Sequence, residues 1–336
     1  MKTLVTKLQG VVNDTTLKKV GEMRIAINAK GGEYISLKKV TDGELVVSTL
    51  DGQPHISLSA NGELLQSITI PNSTAETKFY LGSGTYTLRL INKNSLLNIG
   101  ILTGDVITLN QEEWSYMPNM QIFDVRYLGG SFDVSDIRNW SKVIALVMQG
   151  STFNGDISVF DGFDLQRVEL LQTNLRGDVS AFSGTTKMET FTLAGNSYLV
   201  GDVLNAISHN NSLRLLSIQN QNTTGDLQSI KNLSALTDLL LLTRGITGDI
   251  AVLGKLPSLA NLNLAYTSVV GSIESLVAAF VSNGRQSGTI DMRDVKFWEN
   301  VTYQNMPMSQ WVNTNIGGSL RATLTWNGSQ ISIVAA

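Results

Sequence analysis

The chain of 336 residues contains no cysteine. That removes disulfides, thiolate nucleophiles and cysteine-ligated zinc together, and leaves stability to packing and hydrogen bonding. Charge is also scarce: Asp, Glu, Lys and Arg make up 16% of the residues, with 25 basic against 28 acidic and a net charge of -3, where soluble domains usually carry roughly 25%. No run of Lys or Arg is longer than the pairs Lys18-Lys19 and Lys38-Lys39, so the concentrated basic face that nucleic acid demands is missing. No apolar run approaches the length of a membrane span, and no membrane insertion is expected. The start, Met1-Lys2-Thr3-Leu4-Val5-Thr6-Lys7, meets a charge before an apolar core can form, which predicts no export signal.

Catalytic groups are equally thin. The two histidines, His55 and His209, lie far apart, and neither has a nucleophile or carboxylate at motif spacing. Glycine-rich phosphate loops do not occur. Glu112-Glu113 reads as a solvated loop rather than the paired acids of a glycosidase. The expectation is a non-enzyme with no catalytic residue, no cofactor and no metal ligand set.

What the chain does have is a period. Gly130, Gly155, Gly177, Gly201, Gly225, Gly248 and Gly271 follow one another at 22 to 25 residues. From Gly155 onward each is followed by Asp or Ser and then an aliphatic residue: GDI, GDV, GDV, GDL, GDI, GSI. Upstream of each lies an apolar triplet: Val143-x-x-Leu146-x-Met148, Leu165-x-x-Val168-x-Leu170, Met188-x-x-Phe191-x-Leu193, Leu213-x-x-Leu216-x-Ile218, Leu236-x-x-Leu239-x-Leu241 and Leu259-x-x-Leu262-x-Leu264. Met120-x-x-Phe123-x-Val125 begins the series. This pattern resembles the leucine-rich-repeat family, in which each repeat of roughly 20 to 29 residues contributes one strand to a parallel sheet. The resemblance implies a mostly β solenoid with short helices or turns, whose triplets become buried only when neighbouring repeats stack.

The residues between the inward positions should then form columns on the outer face of the sheet. Val147, Glu169, Thr192, Ser217, Leu240 and Asn263 make one column, and Gln149, Leu171, Gln219 and Leu242 belong to the next. A neutral surface of apolar and amide groups suits a protein or glycan ligand. The alternative is that Leu215, Leu240 and Leu242 are covered by the chain's own termini. Two departures from the family stand out. The Pro of plant-type repeats is absent, and the buried Asn ladder is expected to be mostly missing, its places taken by Ser151, Thr173, Asn196, Gln221, Arg244 and Thr267.

Asp156, Asp178, Asp202, Asp226 and Asp249 would stack at repeat spacing, where unit charges repel by about 1 kcal/mol even in water. Two arrangements relieve this. Each carboxylate can cap the backbone amides of the turn it opens, or the column can hold cations.

Ahead of the repeats the period is two, with turn signals such as Gly31-Gly32, Asp42-Gly43, Asp51-Gly52 and Asn61-Gly62 between short runs, the pattern of a small β-sandwich. The expected organisation is an N-terminal arm over 1–22, a β-sandwich attachment domain over 23–116, the solenoid over 117–283 and a C-terminal β cap over 284–336. Leu276 to Val281 reads as a short helix, and Asn327-Gly328 between alternating apolar residues as a hairpin. The order of arm, β-domain, solenoid and closing Trp326-Asn327-Gly328-Ser329 hairpin resembles proteins of bacteriophages that infect gut Bacteroidales, the crAss-like group. That resemblance implies a virion component such as a head or tail fibre, assembled in the host cytoplasm. Its partners would be other virion subunits or further copies of itself, with a host-surface protein or glycan as ligand. A bacterial leucine-rich-repeat scaffold or surface adhesin is the alternative.

Overall fold

In the computed structural model the described residues are 117–129, 131–336 and, ahead of them, the strands between residues 22 and 109. The arm before Glu22, the glycine turns named above, Gly130, His55 and Glu112-Glu113 lie outside them. The chain divides into two compact units, Met1–Val159 and Phe160–Ala336. It is mostly β, with few and short helices.

The first unit begins with β1 (Glu22–Ala29), β2 (Tyr34–Lys39), β3 (Leu45–Thr49), β4 (Ile56–Leu58), β5 (Leu64–Leu65), β6 (Ser67–Ile70), β7 (Thr77–Tyr80), β8 (Gly84–Ile91) and β9 (Leu96–Leu109). All pair antiparallel. One sheet runs β6-β3-β8-β1 and meets β9 at residues 107–109; the other runs β5-β4-β7-β2 and meets β9 at 96–102. Two sheets sharing one long strand that changes sheets midway is the strand layout of a small sandwich.

β9 has a second role. β10 (Ile122–Gly129) lies parallel to it, with Phe123 opposite Ile99 and Val125 opposite Ile101. Leu96-x-x-Ile99-x-Ile101 therefore sits in register with the first apolar triplet, and Leu96 and Ile99 are fully buried. A repeat-like step is built into the antiparallel region, where alternation concealed it. β11 (Phe132–Asp133), β12 (Ala145–Gln149) and β13 (Phe153–Asp156) complete the unit, with β12 parallel to β10 and β13 parallel to β11. Inside, Phe123 packs against Phe132, Trp140 and Phe153 at centroid distances of 5.7, 5.3 and 6.3 Å.

In the second unit the repeats wind as a leucine-rich-repeat solenoid. Its parallel sheet comprises β14 (Arg167–Leu171), β16 (Thr190–Ala194), β18 (Leu215–Gln219), β20 (Asp238–Leu241) and β22 (Asn261–Asn263). A second line of short strands runs along the turn side: β15 (Asn174–Asp178), β17 (Tyr198–Asp202), β19 (Thr223–Asp226), β21 (Ile246–Thr247) and β23 (Gly271–Ser272). The triplets fill the space between. Leu165, Val168, Leu170, Met188, Phe191, Leu193, Leu213, Leu216, Ile218, Leu236, Leu239 and Leu241 have no exposed surface, and each such side chain contributes about 1.5–3 kcal/mol by leaving water.

Helices interrupt the regular pattern within and after the repeats. Short helix α1 (Val203–Ala206) replaces a 3-10 turn in one repeat, and α2 (Ile273–Ser282) follows the last, opened by a Ser272–Ser275 capping box. β24 (Ser287–Arg293) continues the sheet parallel to β22, and β25 (Val301–Tyr303) pairs parallel with β23. β26 (Met306–Pro307) and α3 (Met308–Asn315), which no sequence period announces, lead to the hairpin of β27 (Arg321–Asn327) and β28 (Gln330–Ala335). β27 closes antiparallel onto β24. Arg285 ties helix to hairpin: its guanidinium lies 5.0 Å from the Phe280 ring centre and 4.7 Å from that of Trp326, and donates to the Leu259 carbonyl.

Candidate functional site

The turn side explains the Gly-Asp signature. Asp133, Asp156, Asp178, Asp226 and Asp249 each accept a hydrogen bond of 2.8 Å from the backbone N–H two residues on, and Asp202 accepts one of 2.9 Å from that of Asn205, three residues on. This is the capping arrangement. Asp133 belongs to the series although no glycine precedes it. The glycine of one repeat rests on the carboxylate of the repeat before: a Cβ on Gly155 would stand 2.5 Å from Asp133 Oδ1, one on Gly201 2.6 Å from Asp178 Oδ1, and one on Gly271 2.5 Å from Asp249 Oδ1. These glycines also hold φ of +104°, +106° and +114°, which side chains rarely tolerate. Gly225 departs from the rule because α1 brings Leu204 against it instead. Among the described residues no three His, Asp or Glu side chains gather as metal ligands.

Inside the solenoid a short polar ladder is present with only two asparagines, and at two places it uses the residue before the one expected from the sequence. Its linked rungs are Thr173, Asn196 and Asn220; Thr243 and Thr267 continue the line and are buried, all five being at most 7% exposed. The Thr243 hydroxyl has no partner among the described residues, and that of Thr267 donates to the Leu264 carbonyl of its own turn. Gln221 and Arg244 point outward, one residue beyond the ladder. Asn196 Oδ1 accepts from the Thr173 amide and hydroxyl, its Nδ2 donates to the Leu170 carbonyl, and its own N–H donates to Asn220 Oδ1. Asn220 Nδ2 in turn donates to the Leu199 carbonyl. Buried turn amides are thereby satisfied.

The outer face of the sheet carries most of the residues expected there. Glu169, Leu171, Thr192, Ser217, Leu240 and Leu242 are half-buried and Gln219 is exposed; on the first unit Gln149 is half-buried. Two residues do not belong. Val147 is fully buried, and Asn263 is 3% exposed, because its Nδ2 donates to Asp294 Oδ2 while its Oδ1 accepts from the Ala265 N–H. Arg167 pairs with Glu169 at 2.6 Å, and Asn261 Nδ2 donates to Asp238 Oδ1. These charges are thus partnered, and Leu215, directly opposite Asp238, and Leu240, on the same strand as Asp238, form with Leu242 an aliphatic strip beside the Asp238–Asn261 pair.

Where these strands end, their turns enclose an open trough of about 760 Å³. Its walls include Gln172, Gln219, Gln221, Asn222, Arg244 and Tyr266, with Asn196 and Asn220 in its floor. Only Gln219 and Leu242 of this lining were foreseen as ligand-facing. Gln172 and Tyr266 hold left-handed backbone, φ +55° and +61°, at equivalent places in their repeats. Nothing in a one-dimensional period reveals that. His209, the one described histidine, is exposed in a turn, where Nε2 meets the Thr185 carbonyl at 2.8 Å. It has no carboxylate or hydroxyl partner for catalysis.

No protein-family model matches the chain, and no curated protein does. Several solved structures are similar in part. One is the Arabidopsis receptor kinase HAESA in complex with the peptide hormone IDA and the co-receptor SERK1, at 22% identity over 55% of this chain and 33% of that one, TM-score 0.44. Another is an internalin, InlF, from Listeria monocytogenes, at 17% identity over 65% and 69% of the two chains, TM-score 0.41. A third is a plant ice-binding protein, at 20% identity over 48% and 53%, TM-score 0.40. The match spans 26% to 33% of the first plant receptor chains. The leucine-rich-repeat assignment rests on the stacked triplets, and these likenesses say nothing of ligand or activity.

Proposed function

We propose that this protein is a non-catalytic interaction module whose solenoid sheet binds a protein or glycan. The observation that carries this reading is the aliphatic strip of Leu215, Leu240 and Leu242 on a regular parallel sheet, flanked by Thr192, Ser217, Gln219 and the partnered Asp238. Half-buried aliphatic side chains rimmed by polar groups, with the single carboxylate partnered, match the core-and-rim composition of a binding patch. The N-terminal strands form the attachment part. Supporting that role, β9 is shared between the antiparallel sheets and β10, so the first repeats are hydrogen-bonded to the attachment part. The setting we infer is a bacteriophage particle, with the protein in a head or tail fibre or a decoration, joined to other subunits or to copies of itself.

Two measurements test this. Antibody labelling of purified particles under the electron microscope should decorate them at a defined place; labelling of the bacterial cell alone would replace the virion setting with a bacterial scaffold or adhesin. Leu240→Glu in the full chain should abolish partner capture while leaving the melting curve unchanged. Undiminished capture by that variant would remove the sheet as the binding face.

A further inference from the structure

Resting on the reading of the solenoid as a binding module, we propose that the trough at the strand ends is a subsite for a saccharide bearing a carboxylate.

Gln172, Gln219 and Gln221 are exposed, and among the described residues none of their side chains has a hydrogen-bond partner. Arg244 is exposed as well and is paired with no carboxylate. No Asp or Glu lines the trough. It therefore presents three unpaired amides, each both donor and acceptor, and one uncompensated guanidinium. Amides of that kind match vicinal hydroxyls, which also donate and accept. A guanidinium selects a carboxylate through paired N–H donors.

The fourth component is Tyr266. Its ring stacks on Phe297 at 4.8 Å and 27°, yet the residue is 42% exposed. The ring is held in place and remains open to solvent, which suits it to receive the C–H face of a pyranose. Gln172 and Tyr266 both hold left-handed backbone that non-glycine residues avoid, a cost of about 1–2 kcal/mol each. Strain of this sort gathers at ligand-binding sites. The two residues stand at opposite ends of the trough, four strand spacings or about 19 Å apart, enough for a short oligosaccharide.

A peptide fits less well. Protein and peptide ligands take their affinity from apolar or aromatic anchors seated in dry pockets, and here the aliphatic lining is limited to Ala194 and half-buried Leu242, with Tyr266 the one aromatic ring, in a trough open to solvent. Nor is a free strand edge on offer, since Gln172 N–H donates to the Ala194 carbonyl and Gly195 N–H to that of Gln219.

The test is calorimetric titration of the full-length protein with tetragalacturonate and sialyllactose, with maltotetraose and tetraglutamate as the neutral-sugar and acidic-peptide arms. At least one acidic saccharide should bind. Its affinity should fall about tenfold in Arg244→Gln, as loss of a charge-assisted contact requires, and about threefold or more in Tyr266→Ala. Added salt should weaken it. Both substitutions are at exposed positions, and unchanged circular dichroism will show that the variants fold. The proposal is overturned if neither acidic saccharide binds, if Arg244→Gln binds undiminished, if maltotetraose binds equally well, or if tetraglutamate does so with the same Arg244 dependence. Leu240→Glu separates this subsite from the interaction reading. Saccharide failure with Leu240-sensitive partner capture intact ends the subsite alone, whereas loss of that capture from the wild-type chain would end the wider reading.

Discussion

The same solenoid period places left-handed residues on two sides of the molecule, and the two sides use them differently. On the turn side they are Gly155, Gly177, Gly201, Gly248 and Gly271, with φ from +104° to +120°. At the strand ends they are Gly150, Gln172, Gly195 and Tyr266, with φ of +115°, +55°, +68° and +61°. At Gly155, Gly201, Gly248 and Gly271 there is no room for a side chain, because the capping aspartate of the preceding repeat occupies the space. Gln172, Gly195 and Tyr266 line the trough, and two of these three carry large polar or aromatic side chains despite the backbone cost. Uniform glycine therefore marks a packing constraint, while at Gln172 and Tyr266 the departures from it place side chains in the trough proposed as a subsite.

The sharpest way to break this contrast is Gly201→Ala. A methyl 2.6 Å from Asp178 Oδ1, on a backbone at φ +106°, should cost about 2–4 kcal/mol by combined strain and overpacking, read as a drop in urea midpoint. Gly195→Ala, whose Cβ would meet Gln172 Cγ at 3.2 Å, should cost only about 1 kcal/mol. Equal losses at the two sites would erase the distinction.

A smaller effect separates capping from cation binding. Asp226→Ala removes the acceptor for the Gln228 N–H and should lower stability by about 1 kcal/mol, whereas Asp226→Asn keeps an acceptor and should recover most of it. Added calcium should leave the melting temperature of the wild-type chain where it is. An upward shift that disappears in Asp226→Asn would make the column a cation site instead.

The smallest effect is of opposite sign. Gln172→Gly should relieve left-handed strain and raise stability by about 0.5–1 kcal/mol while weakening saccharide binding in the trough. A variant that loses stability would show that Gln172 is held there by packing, and its strain would no longer point to a ligand.

Much of this was legible in the residues. The triplets, the Gly-Asp turns, the helix near Leu276 and the Asn327-Gly328 hairpin are local patterns, set by periodicity and turn chemistry within one repeat. The ladder was misjudged by one residue at two rungs, because the apolar triplet shows which side chains point inward and not how many residues the following turn consumes. Asn220 and Thr243 occupy the places that the spacing assigned to Gln221 and Arg244. Val147 and Asn263 shared the column pattern of their neighbours, yet burial there depends on what the fold brings over the sheet, as Asp294 does for Asn263. The step at Leu96, Ile99 and Ile101 was hidden because a strand that is both antiparallel edge and repeat neighbour shows only alternation. α3 and β26 follow no period at all.

By itself the sequence determined a stack: apolar triplets at fixed spacing have no buried position except against a neighbouring copy, and a glycine beside an aspartate at each turn lets the copies close up. Only the tertiary structure decided where the side chains left over would meet. Gln172, Gln219, Arg244 and Tyr266 come from different repeats, and nothing in the order of residues along one strand sets which ends of several strands form a common wall.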